Sequence, residues 1–107
     1  MIEQWEVWLA NFVFEDSDDV KQRPVLILSD EEAFPILVAK VTKTPPRNNY
    51  IGEYSIVHWK QAGLNYPSTI RLSKRLLLQK DDFVHKLGRL EADDIRAVQK
   101  VITAMNK

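Results

Sequence analysis

The sequence predicts a mainly β protein: a small barrel of short strands completed by one C-terminal α-helix. Three observations predict it. Apolar runs rich in branched and aromatic side chains recur along the chain, each bounded by a polar, acidic or proline-bearing turn. Only one stretch, Glu91 to Met105, spaces its apolar residues by three and four as a helix does. No strand–helix–strand alternation or internal repeat is present, which argues against a parallel sheet. The 107 residues suit a single domain, 1–107, with one core.

Taken in order, Trp5 to Phe14 (WEVWLANFVF) is apolar on both alternating faces and reads as a central strand. Glu15 to Gln22 is a polar loop. Pro24 to Leu28 follows, too short for a helix and branched enough for a strand buried on both sides. Proline takes its first position, where a missing N–H does least harm, and biases Arg23 toward extended backbone. After an acidic turn, Phe34 to Val41 is a third strand that delivers Thr42 at its end. Lys43 to Tyr50 (KTPPRNNY) is the most loop-like stretch in the chain. Ile51 to Trp59 returns to strand, and Lys60 to Tyr66 reads as one turn of helix or a tight connection around Gly63. Pro67 to Leu72, Leu76 to Leu78 and Phe83 to Leu90 supply the remaining strands. In the helix, Ile95, Val98, Ile102 and Met105 form one apolar stripe, for the core or a dimer contact. Glu91, Asp93 and Asp94 occupy its first turn, where carboxylates suit the positive end of the macrodipole.

Composition removes several function classes. The 45% hydrophobic and 28% charged residues are ordinary for a soluble globular protein. No apolar run approaches the roughly 20 residues of a membrane span. The opening MIEQWEVW has neither basic nor apolar signal regions, so a cytoplasmic protein without a membrane partner is expected. The absence of cysteine excludes disulfides, thiolate zinc sites and cysteine nucleophiles. The two histidines, His58 and His85, lie far apart without a carboxylate at ligand spacing and read as alternating strand residues. No metal and no cofactor is expected.

Charge is zero in sum but unevenly placed. Residues 1–39 carry nine acids against two bases, and residues 40–89 carry ten bases against three acids. The basic middle suits an anionic partner; interleaved strands that neutralise each other locally are the competing reading. There is no Gly-rich phosphate loop, nucleophile elbow, zinc-protease helix or carboxylate dyad. What remains is Arg23 beside one strand, Thr42 at the end of another and Arg71 in a third. An arginine holds a phosphate by two parallel hydrogen bonds and stabilises charge developing on it, and a threonine hydroxyl donates to a further oxygen. Against this, Arg23 could pair with an acid of Asp16–Asp19, Thr42 is a common strand residue, and Arg71, Lys74 and Arg75 could be a solvated face. Phe14, Tyr50, Trp59 and Tyr66 are available to stack on unpaired bases; core packing is the favoured reading for Phe14 and Trp59, and Tyr50 in the proline loop is best placed to stack.

Several segments carry a resemblance. RPVLILSD after a polar loop, ILVAKVTKT, AGLNYPSTIRLSKRLLL and KLGRL before the helix occur in that order, behind the opening WEVWLANFVFED. Together they resemble the MazF/PemK/Kid toxins of type II toxin–antitoxin systems over nearly the whole chain. The resemblance implies an SH3-like barrel of the CcdB/MazF type, forming a homodimer. It also implies a metal-independent endoribonuclease that cuts single-stranded RNA at short sequences. The RNA's own 2′-hydroxyl attacks, leaving a 2′,3′-cyclic phosphate. By position, the family's arginine falls on Arg23, its threonine on Thr42, and the second arginine of some members on Arg71. Lys43, Arg47, Tyr50, Ser73, Lys74 and Arg75 become RNA contacts. The implied partner is an antitoxin whose acidic, flexible tail covers the basic groove. Some relatives have Gly-His-Glu before the RPV segment; this chain has Ser17, Asp18 and Asp19, making Asp18 the candidate proton acceptor. Where some carry an aspartate after the second arginine, Ser73 stands here. The alternative is a non-catalytic relative that acts by binding protein, as CcdB-type toxins act on DNA gyrase.

Overall fold

β1 (Glu6–Val13) is the strand from which the sheet is built, paired antiparallel with β2 (Val20–Ile27) on one side and β6 (Phe83–Arg89) on the other. The structure is a computed structural model, and it describes residues 2–13, 19–29, 34–47 and 51–106. β3 (Ile36–Thr42), β4 (Glu53–Ser55) and β5 (Thr69–Leu78) complete a six-stranded sheet in the order β4-β5-β3-β2-β1-β6. A 3₁₀ turn at Lys80–Asp82 leads into β6, and α1 (Ala92–Met105) closes the chain. Every strand pairing is antiparallel.

The two apolar faces of β1 serve two separate cores. Val7 packs with Leu26, Ala39, Val41, Ile70, Leu72 and Val98, while Ala10 and Phe12 pack with Val25, Ile27, Ile36 and Val38. A sheet covered on one side would need only one of these sets, so strands apolar on both faces are what a strongly curled sheet requires. Val98, fully buried, is the centre of the helical stripe; Ile95, Ile102 and Met105 flank it against the first core.

Curling brings the sheet's ends together without ladder hydrogen bonds between β4 and β6 among the described residues. The closing contact is made by backbone. Gly63, at φ +88°, lies so near β6 that an added Cβ would stand 2.0 Å from the Leu87 carbonyl oxygen. A Cβ at Gly88 would stand 2.4 Å from the Ala62 oxygen. Gly63→Ala is therefore expected to cost the roughly 1–3 kcal/mol of a non-glycine in left-handed backbone, plus the displacement of a main-chain neighbour. A thermal melt should fall by about 10 °C, and an unchanged midpoint would contradict this account of the closure.

Three expectations change. β2 begins at Val20, so Pro24 stands inside the strand rather than at its start. It remains tolerable because β3 pairs only from Val25 onward, leaving Pro24 with β1 as its one neighbour. Pro67–Leu72 and Leu76–Leu78 are one strand: β5 runs from Thr69 to Leu78, and its polar middle is a bulge. Arg71 pairs with Lys40 but Arg75 with the adjacent Ala39, so Leu72, Ser73 and Lys74 have no Cα partner on β3. The strand expected over Ile51–Trp59 is only Glu53–Ser55, because Val57 and His58 give their N–H groups to the Asp94 carboxylate instead of a ladder.

Candidate functional site

A cavity of about 700 Å³ opens over the region where β1, β2, β3 and β6 lie side by side. Leu9, Pro24, Val41, Leu64 and Leu87 give it an apolar lining, and Arg23, Lys40 and Lys43 give it positive charge. Thr42, Thr44, Asn65, Tyr66, Ser68 and His85 supply hydroxyl, amide and imidazole groups. Among the described residues lining it, none is a carboxylate.

Arg23 reaches this space from the outer part of β2, where the strand has a neighbour on one side only. Its guanidinium is exposed, and Nη1 donates to the Gln22 carbonyl at 2.8 Å. Thr42 ends β3. Its Oγ1 accepts the Thr44 N–H at 3.2 Å, a local turn that stops the strand and fixes the hydroxyl at the cavity wall. Lys43 follows directly, its Nζ 4.7 Å from the centre of the Tyr66 ring. That cation–π contact holds an exposed aromatic beside a positive charge. The fold thus brings Arg23 of β2 into one cavity with Thr42 at the end of β3 and Lys43 just after it.

Arg71 takes a different place. It does not line this cavity; its Nε lies 3.8 Å from Glu53 Oε2. Arg47 dominates that second cluster, giving Glu53 its backbone N–H at 2.9 Å, Nε at 3.0 Å and Nη2 at 2.6 Å. The Arg47 hydrogen bonds hold the Glu53 carboxyl below its ordinary range, against the opposing effect of burial. Here Arg47 and Arg71 are engaged by a buried acid, and the clamp ties the end of the 43–47 segment to β4. Ser73, Lys74 and Arg75 sit exposed on the β5 bulge, also outside the cavity, with Arg75 Nε donating to Leu72 O at 2.7 Å. Asp18, Tyr50 and Phe14 lie outside the described residues. Trp59 packs against the first core, leaving Tyr66 as the aromatic that lines the cavity among those described.

Two further buried carboxylates, unremarkable in the sequence, hold the frame. Glu6 accepts from the Glu3 N–H at 2.8 Å and Trp8 Nε1 at 2.9 Å, and pairs with Lys86 at 2.7 Å. Burial pushes its carboxyl upward, but the hydrogen bonds from Lys86, Trp8 and Glu3 prevail and hold it below the usual range. That ion pair anchors β6 to β1. Asp94, fully buried, accepts from Tyr54 OH at 2.5 Å and from the Val57 and His58 N–H groups at 2.9 Å each. Burial, then the bond to Asp94, raises the Tyr54 phenol well above its ordinary range. His58 Nε2 also lies 3.6 Å from Asp93, on the helix side and away from the cavity lining.

Among the described residues, no cluster of histidine or acidic side chains could hold a metal ion, and no helix is long and apolar enough to cross a membrane. No curated protein sequence matches the chain. Solved structures do. A mycobacterial structure described as an endoribonuclease in complex with its cognate antitoxin matches with a TM-score of 0.74 at 14% identity, over 99% of this chain and 96% of that one. A Mycobacterium tuberculosis toxin, MazF-mt6, matches with a TM-score of 0.72 at 26% identity, over 92% of this chain and 93% of its own. A further mycobacterial endoribonuclease gives 0.72 at 14% identity, covering 98% of this chain and 91% of that one. The family model of the PemK-like, MazF-like toxins of type II toxin–antitoxin systems matches residues 3–105. With that match across the strands, the cavity and the helix alike, the chain belongs to the PemK-like, MazF-like toxin family.

Proposed function

We propose that this toxin is an endoribonuclease that cleaves single-stranded RNA by attack of the 2′-hydroxyl on the adjacent phosphorus, without a metal or cofactor. The observation that carries the proposal is the convergence of Arg23, Thr42 and Lys43 on one cavity of about 700 Å³. Such a site has donors and positive charge for a phosphodiester, and the chain has neither a cysteine nor a nucleophile elbow, which suits a reaction whose nucleophile belongs to the substrate. Arg23 stabilises the extra negative charge on the non-bridging oxygens as phosphorus becomes pentavalent. Thr42 donates to one of those oxygens and fixes the phosphate's orientation. Lys43 neutralises a flanking phosphate, and Tyr66 stacks on an unpaired base. Arg47 and Arg71 act on this site by positioning: through Glu53 they set the course of the segment that carries Lys43 and Thr44.

The same positive groove suits the acidic, flexible tail of a cognate antitoxin, which would occupy it in place of RNA. A homodimer acting in the cytoplasm completes the reading. The test is incubation of the purified protein with a long RNA in the presence of EDTA, with the ends mapped. Discrete fragments bearing 2′,3′-cyclic phosphate and 5′-hydroxyl ends are expected. Intact RNA under all conditions would overturn the proposal, and intact RNA with trapped DNA breaks on a topoisomerase would favour a gyrase poison.

A further inference from the structure

We infer that His85 is the general base of the cleavage step, taking the proton from the attacking 2′-hydroxyl; the inference rests on the endoribonuclease reading above. In sequence, His85 looks like one member of an exposed alternating strand. The register gives it another position. Leu9 of β1 lies opposite His85 on β6 and opposite Pro24 on β2, so His85, Leu9 and Pro24 form one row across three strands. All three line the cavity, as does Arg23 beside Pro24. Neighbouring strands lie about 4.8 Å apart, which sets the His85 backbone roughly 10 Å from that of Pro24. His85 and Pro24 thus flank Leu9 across the row, and Arg23 enters the same cavity from the position next to Pro24.

The site needs a proton acceptor, and the described lining offers few. Arg23, Lys40 and Lys43 face the cavity from β2, β3 and the segment after it, and Tyr66 faces it from the turn before β5. Thr42, Thr44 and Ser68 carry hydroxyls, and β1 presents only Leu9. On β6 itself, Lys86 is committed to Glu6. Histidine is the one side chain among these that ordinarily gains and loses a proton near neutrality. Arginine keeps its proton, so Arg23 stabilises charge and does not accept the hydroxyl proton.

In the step, the 2′-oxygen bonds to phosphorus as its proton passes to the His85 imidazole. The bond from phosphorus to the 5′-oxygen breaks with its electron pair on that oxygen, which takes a proton from water in the open cavity. His85 then releases its proton to solvent, neutralising the hydroxide so formed.

The test compares wild type, His85→Ala and His85→Gln on a single-stranded RNA from acid to mildly alkaline pH, with and without added imidazole. Both variants are expected to lose about 100-fold or more in cleavage rate. The wild-type pH profile should show an acid limb, and that limb should be missing from both variants. Added imidazole should restore part of the His85→Ala rate. His85 is exposed, so melting curves should coincide. A variant that cleaves at the wild-type rate with the wild-type pH profile overturns the role of His85 alone. A wild-type protein that leaves RNA intact overturns the endoribonuclease reading instead.

Discussion

Arg23→Ala is expected to lower RNA cleavage by about 100- to 1,000-fold, the usual cost of deleting one donor aimed at charge that develops in the transition state. The loss should fall on the rate at saturating RNA more than on RNA affinity, because Lys40 and Lys43 still line the cavity. Arg23→Lys separates charge from geometry. An ammonium keeps the positive charge but cannot present two parallel N–H groups to a phosphate, so a partial rescue is expected. The guanidinium is exposed on a part of β2 with one neighbouring strand, and its truncation should leave the melting temperature nearly unchanged. Equal fragmentation of RNA by wild type and Arg23→Ala would remove Arg23 from the mechanism.

The parts of this site that could be read from the sequence are those set by neighbours in the chain. A proline after arginine and before a branched apolar run places a cation beside a rigid buried strand, and Val25, Leu26 and Ile27 are buried as that pattern requires. Thr42 was legible as the residue that ends β3. Arg71 carried the same kind of local signal, but its environment is decided by Glu53, the residue opposite it on β4. No local pattern reveals that pairing. His85 was missed for the complementary reason: FVHKLGRL alternates like any half-exposed strand, and its relation to Pro24 exists only through the shared partner Leu9. The break expected between Leu72 and Leu76 spans Ser73, Lys74 and Arg75, and such polarity is common to a turn and a bulge. Backbone pairing with Ala39 and Lys40 distinguishes them.

Asp94 is the clearest case of a residue whose position in a helix concealed its function, and it carries the largest stability effect expected here. A carboxylate in a first helical turn ordinarily faces solvent and favours the helix by a few tenths of a kcal/mol. Asp94 is instead fully buried and accepts from Tyr54, Val57 and His58, joining α1 to β4 and to the turn that follows it. Asp94→Ala leaves three donors without an acceptor, at about 1–3 kcal/mol for each that stays buried. A total of about 3 kcal/mol or more is large against the roughly 5–15 kcal/mol that holds a domain folded. The melting temperature should fall by about 10–20 °C. Tyr54→Phe removes one donor and leaves the carboxylate its two backbone partners, so about 1 kcal/mol is expected. Asp93→Ala, one residue earlier with its side chain 69% exposed, should stay within about 0.5 kcal/mol of wild type. Equal melting of Asp94→Ala and Asp93→Ala would show that the buried carboxylate contributes nothing special. The turn held by Asp94 leads through Gly63 to Leu64, Asn65 and Tyr66 at the cavity wall. Cleavage by Asp94→Ala should therefore weaken at temperatures below its own melting transition, as the wall loosens before the sheet unfolds.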